Sequence, residues 1–279
     1  KKKIEAGEII GPRLFAAGPT FTAPGGHPSG TLLKGNAGAI GAGVREVTDP
    51  EVARAEVRKL KQGGVDLIKA IYDGGNRYSP FGFLPKLDAG SLRAIVDEAR
   101  AGGLRVTVHW GNVSELPDVI EARPDGLEHV TVSPIPDALI RRLAEQKLYV
   151  VPTAVAFKQF LPAMVFERGT LSNVRRLSEA GVKIVAGSDA PLGTKFGTGL
   201  QEEIELLVKA GLTPMQALQA ATKNAAEYLG KDKDLGAIKP GMTADLIAVA
   251  GNPLEEIKRI REIRLVMKDG VILKNQLTR

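Results

Sequence analysis

A chain of 279 residues, 43% hydrophobic and 25% charged, can bury a large core and is long enough for one (β/α) barrel of about 250 residues with a small appendage. No apolar run approaches the roughly 18–20 residues a membrane helix needs, and the absence of cysteine excludes disulfides and thiolate chemistry. The net charge of +6, from 38 basic and 32 acidic residues, is spread without a long basic block, so it reads as solubility rather than as a nucleic-acid surface.

The chain starts KKKIEAGEIIGPR, without Met and with what reads as the tail of a helix, so either a tag junction or a missing segment is expected before it. Arg13 to Gly18 (RLFAAG) reads as a strand, followed by a long Gly/Pro loop, TFTAPGGHPSGTLLKGNAGAIGAG. A loop of that length inside a compact domain is usually functional or mobile. Asp49-Pro50 then opens a helix that runs through EVARAEVRKLKQ to a Gly-Gly stop, with Pro at the first helical position.

Strand VDLIKAI follows, and the pattern repeats. Helix LDAGSLRAIVDEARAGG leads into LRVTVHW, helix SELPDVIEAR into GLEHV, and helix IPDALIRRLAEQK into LYVVPTAV. Helical stretches from Phe157 to Glu167 and from Leu171 to Ala180 precede KIVAGSDA. Strands separated by helices argue for parallel βαβ units, because parallel neighbours need a crossover. QEEIELLVKAG and TPMQALQAATKNAAEYLG read as two further helices, the second opened by a Thr-Pro pair. The last forty or so residues change character: TADLIAVA reads as a strand, and IRLVMKDGVILKNQ as a hairpin turning at Asp269-Gly270.

Four polar residues stand at the C-terminal ends of these apolar strands: Lys69, His109, His129 and Asp189. Side chains alternate along a strand, so Leu67, Lys69 and Ile71 share a face, as do Thr107 with His109, Leu127 with His129, and Val185, Gly187 and Asp189. The C-terminal end of a parallel sheet is where active sites are built. A lysine in an apolar run must lose its proton, find a partner or be modified. Two imidazoles and a carboxylate suit zinc, and a bound metal that activates water favours hydrolysis. Each residue alone has a plainer reading: a snorkelling lysine, a structural histidine, an aspartate capping a loop.

GPRLFAAGPTFTAPGGHP, GVDLIKAIYDGG, LRVTVHWGN, GLEHV, VAGSDAP, TPMQALQAATKNAAEYLG and DLGAIKPGMTADLIAV, in this order, resemble the amidohydrolase superfamily, in its imidazolonepropionase-like and prolidase-like (Xaa-Pro or Xaa-Arg dipeptidase) branch. The resemblance runs from barrel strand three to the C-terminus. It implies a (β/α)8 TIM-like barrel lacking its first two strands in this chain, over residues 1–234, and a small C-terminal β-sandwich portion over 235–279.

The resemblance also implies roles. Lys69 corresponds to a carbamylated lysine bridging two metal ions, His109 and His129 to ligands of the second ion, and Asp189 to a ligand of the first that handles the proton of the attacking water. One or two divalent ions, zinc above all, are the implied cofactors. The family's His-x-His pair on its first strand has no counterpart here, which leaves open a non-catalytic barrel fragment. His27, in PGGHP, is a candidate substrate contact or a solvated loop histidine. Arg77 and Tyr78 are candidates for a substrate carboxylate and carbonyl, or plain surface loop. Trp110 is read chiefly as core.

The implied function is hydrolysis of a C–N bond in a dipeptide, with a cyclic-amide hydrolase as the alternative. The expected partner is a small-molecule or dipeptide substrate, with no nucleic acid, no membrane and a homo-oligomer left open. A cytoplasmic protein is expected, with secretion left open.

Overall fold

Short β-branched runs and amphipathic helices alternate to build parallel sheet in both halves of the chain. The computed structural model describes residues 1–75, 81–192 and 194–277. It divides into two compact units, Lys1–Leu148 and Tyr149–Arg279. No helix among the described residues is long and apolar enough to cross a membrane.

In the first unit, strands β1 (Thr20–Thr22), β2 (Val44–Glu46), β3 (Leu67–Tyr72), β4 (Arg105–Trp110) and β5 (Gly126–Glu128) are all parallel, in the order β2-β1-β3-β4-β5. Helices α1 (Lys2–Glu5), α2 (Ala37–Gly43), α3 (Pro50–Gln62), α4 (Ala89–Ala101), α5 (Leu116–Ala122) and α6 (Asp137–Glu145) complete it. Helix α3 starts where the sequence expects, because the Asp49 carboxylate accepts the N–H groups of Glu51 and Val52 and Pro50 needs no partner of its own. It packs on α4, whose Leu92, Ile95, Val96 and Ala99 are buried. Ile68, Ala70, Val106 and Val108 occupy one face of β3 and β4 and are at most 1% exposed, so that face is core. The opposite face carries Lys69, Ile71, Thr107 and His109, since Lys69 pairs with Thr107 and Ile71 with His109.

The expectation for residues 13–18 fails. They form no strand; the strand lies at Thr20–Thr22 instead. The backbone of Ala16 is taken up by Asp66: its N–H donates to the Asp66 carboxylate at 2.8 Å and its carbonyl accepts the Asp66 N–H at 2.9 Å. The long segment read as loop contains two short elements, β1 and α2, and β2 follows directly after it. Strands of three residues in a glycine-rich stretch show no readable period, and their pairing is a long-range matter.

The second unit pairs β6 (Tyr149–Val151) with β7 (Lys183–Ile184) in parallel. Helices α7 (Ala154–Phe157), α8 (Ala163–Phe166), α9 (Ser172–Glu179), α10 (Gly199–Ala210), α11 (Pro214–Ala221) and α12 (Lys223–Tyr228) surround them in sequence. The helix expected from Phe157 to Glu167 is interrupted: α7 ends at Phe157 and α8 starts after Pro162, which caps it. A π-helical turn, Glu167–Leu171, joins α8 to α9. Thr213 and Gln216 form a reciprocal capping box on α11, and the helical run then breaks at Thr222 (φ −128°, ψ −86°).

At the C-terminus, β8 (Leu246–Val249), β9 (Ile263–Lys268) and β10 (Val271–Asn275) make a three-stranded antiparallel sheet in the order β10-β9-β8. Asp269 and Gly270, with φ of 49° and 79°, form its hairpin turn, as the sequence signalled.

Candidate functional site

All three histidines of the chain meet in the first unit. The rings of His109 and His129 lie edge to face with centroids 4.5 Å apart, and His27 stacks on His109 at 5.0 Å. Lys69 shares the β3–β4 face with His109 through the register, and its charge acts on both His27 and His129.

Each histidine arrives by a different route. His109 sits within β4 and points by strand alternation. His129 lies one residue beyond β5, so the expected sharing of a face with Leu127 by alternation does not hold. Glu128, not His129, stands opposite His109 in the register, and His129 takes a left-handed backbone (φ 73°) that breaks the alternation. The Trp110 indole N–H donates to the His129 carbonyl at 3.2 Å and supports that turn, while the ring itself is buried core. His27 comes from the PGGHP loop. Glu46 at the end of β2 accepts the Gly25 N–H at 3.0 Å and the Ser29 hydroxyl at 2.5 Å, and His27 Nδ1 lies 2.7 Å from the Thr31 hydroxyl. A Cβ on Gly30 would stand 2.0 Å from the Gly25 carbonyl oxygen, so the tight loop requires glycine there.

Burial decides the protonation of two of the rings. It is the main cause that pushes His27 down to about 4, with the charges of His109 and Lys69 adding and Asp73 opposing. His129 is held well below its ordinary value by burial, then by His109 and Lys69. Both are neutral imidazoles with a lone pair at neutral pH.

Asp73 belongs to the cluster and escaped the sequence reading. It follows β3 and shares parity with Lys69 and Ile71, the one signal that could have marked it. Its Oδ2 lies 3.4 Å from His109 Nε2, and its Oδ1 accepts the Gly75 N–H at 2.8 Å and the Asn112 side-chain N–H at 3.4 Å. Burial opposes ionisation of Asp73, but His109 and the Gly75 N–H outweigh it and hold the carboxyl below its usual range. Beside it, the buried Glu115 accepts the Gly74 N–H at 2.8 Å, and burial pushes its carboxyl up.

Asp189 belongs to the second unit. Strand β7 is only Lys183–Ile184, so Asp189 lies beyond it rather than at its end, exposed and in a left-handed conformation (φ 52°). The segment leading to it runs beside β6: the Val185 N–H donates to the Val150 carbonyl at 2.9 Å. Thr153, after β6, is also left-handed (φ 49°) and buried, an unfavourable state for a β-branched residue. Glu203, fully buried on α10, accepts the next two N–H groups, Ala154 at 3.1 Å and Val155 at 2.8 Å. Arg77 and Tyr78 lie outside the described residues.

The nitrogen donors suit a divalent metal in kind. Among the described residues no group of three or more His, Cys, Asp or Glu is arranged to hold an ion.

An ochratoxinase of Aspergillus niger is 29% identical over 307 residues, covering 98% of this chain and 62% of the relative. An imidazolonepropionase of Cutibacterium acnes is 33% identical over 164 residues, 57% of this chain and 38% of that protein. Among solved structures, a Xaa-Pro dipeptidase with methionine bound in its active site superposes with a TM-score of 0.83 at 31% identity, over 98% of this chain and 71% of that one. The chain thus spans about three fifths of the length of the ochratoxinase it matches. The family is in general metal-dependent. The amidohydrolase family model matches residues 1–273, and the chain belongs to that family.

Proposed function

We propose that this chain carries much of the machinery of a metal-dependent hydrolase that cleaves a C–N bond, with a prolidase-like dipeptidase as the preferred reading. The observation that carries it is the convergence of His27, His109 and His129, every histidine of the sequence, beside Lys69 on one sheet face. The likeness to a Xaa-Pro dipeptidase supports the dipeptide reading.

In this reading a carbamylated Lys69 joins His109 and His129 in holding a divalent ion, proposed to be zinc. Such an ion supplies Lewis acidity and activates water near neutral pH. The chain's own residues do the rest. Burial keeps His129 neutral and so available as a donor. His27, also neutral, is assigned to contact the substrate. Arg77 and Tyr78 are assigned to the substrate's carboxylate and carbonyl. Asp189 is assigned the proton: a carboxylate accepts it from the attacking water and returns it to the leaving nitrogen. We further assign residues 1–234 to a barrel two strands short and 235–279 to part of a β-sandwich.

The test is hydrolysis of a panel of Xaa-Pro dipeptides, Xaa-Arg dipeptides and cyclic amides after loading with zinc. Turnover of dipeptides is expected, with a loss of about 10²–10⁴-fold in Asp189→Asn, the range of a proton-transfer group. Preference for cyclic amides would move the reading to the alternative. No turnover with any class would leave a non-catalytic barrel.

A further inference from the structure

The carboxylate of Asp73 is held more tightly than a chance surface acid would be. Its Oδ1 is fixed by the Gly75 N–H at 2.8 Å and approached by Asn112 Nδ2 at 3.4 Å. Asn112 is fixed in turn, donating its side-chain N–H to the Gly75 carbonyl at 2.9 Å and its backbone N–H to Glu115 at 3.2 Å. Glu115 also accepts the Gly74 N–H at 2.8 Å, so the turn after β3 and the turn after β4 are knitted into one network. Gly111 closes the seat: a Cβ there would lie 2.2 Å from Asp73 Oδ1, so only a hydrogen fits against the carboxylate. The remaining oxygen, Oδ2, faces His109 Nε2 at 3.4 Å.

A carboxylate only accepts hydrogen bonds, so the ring nitrogen facing it carries the proton. We propose that Asp73 is a positioning residue that holds His109 as the Nε2–H tautomer, leaving Nδ1 as the lone-pair nitrogen. Histidines that ligate metals commonly donate their second ring N–H to a carboxylate, which fixes ring and tautomer and raises basicity. The consequence for the ion rests on the proposed metal reading; the tautomer does not.

Two measurements separate them. First, nitrogen-15 NMR of the metal-free protein at pH 8 reads the tautomer of each of three imidazoles, with His109→Gln identifying the signal. A single Nε2–H form is expected at His109 in the wild type. In Asp73→Ala a population of the Nδ1–H form is expected to appear at His109, with the His129 signals unmoved. Gly111→Ala, which pushes the carboxylate aside without removing it, is expected to do the same and serves should Asp73→Ala fail to fold. Second, competition titration with zinc alone is expected to show about 10–100-fold weaker binding in both variants.

An Nδ1–H form in the wild type, or variants that leave the His109 signals unchanged, would overturn the proposal. The expected tautomer result in a wild type that takes up no zinc would sustain the role of Asp73 and sink the metal reading instead.

Discussion

The imidazole of His27 stacks on that of His109, with centroids 5.0 Å apart and planes 29° from parallel. A Gly/Pro loop distant in sequence is thereby brought against the β4 histidine. His27→Ala removes that ring without touching Lys69, His109 or His129. If His27 contacts substrate, kcat/KM for a dipeptide is expected to fall about tenfold or more, the worth of one interaction of about 1.4 kcal/mol, with zinc content unchanged. An unaltered kcat/KM measured at steady state would remove His27 from the substrate site.

Chelation tests the donor set by a route independent of turnover. An ion bound at 100 times its Kd stabilises the fold by about 2.7 kcal/mol, so a chelator is expected to lower the melting temperature by several degrees. His129→Ala is expected to abolish that difference, because the chelator then has nothing to remove. Melting curves with and without chelator, read by circular dichroism, check both statements.

Glu203 sets a pH dependence whose sign can be worked out. Burial raises its carboxyl to about 7 in the folded chain, against an ordinary value of 4.5, despite the N–H groups of Val155 and Ala154. The folded state keeps a proton that the unfolded state releases in this interval. The stabilisation is complete below about 4.5 and is lost as pH rises through about 7. Glu203→Gln cannot ionise. Its stability relative to the wild type is expected to improve by up to about 3 kcal/mol between pH 4 and pH 8, against a constant cost of about 1–3 kcal/mol for one mismatched hydrogen bond. A pH-independent difference in urea midpoints would contradict this.

Gly187 is required by close packing rather than by its backbone angles. A Cβ there would lie 2.4 Å from Val151 Cγ1, on neighbouring segments of the second unit. Gly187→Ala is expected to cost about 1–3 kcal/mol, the usual penalty of overpacking. Adding Val151→Ala is expected to recover part of that loss, a coupling that a double-mutant cycle in urea would measure.

The sequence by itself determined the alternation of strand and helix from β3 onward, the caps at Asp49 and Thr213 and the hairpin at Asp269-Gly270. Each of these is written in local periodicity or in a side chain that satisfies nearby backbone. It also singled out Lys69 and His109, because strand alternation does carry both to one face. Strands β1 and β2 were illegible: three residues show no period, and their pairing depends on partners far away. Only the tertiary structure decided how His129 and Asp189 are presented, since both stand past their strands in left-handed conformations that packing must enforce against an intrinsic cost. It also decided that Asp73 reaches His109. A carboxylate four residues past a lysine is unremarkable until Gly111 lets the neighbouring turn close on it.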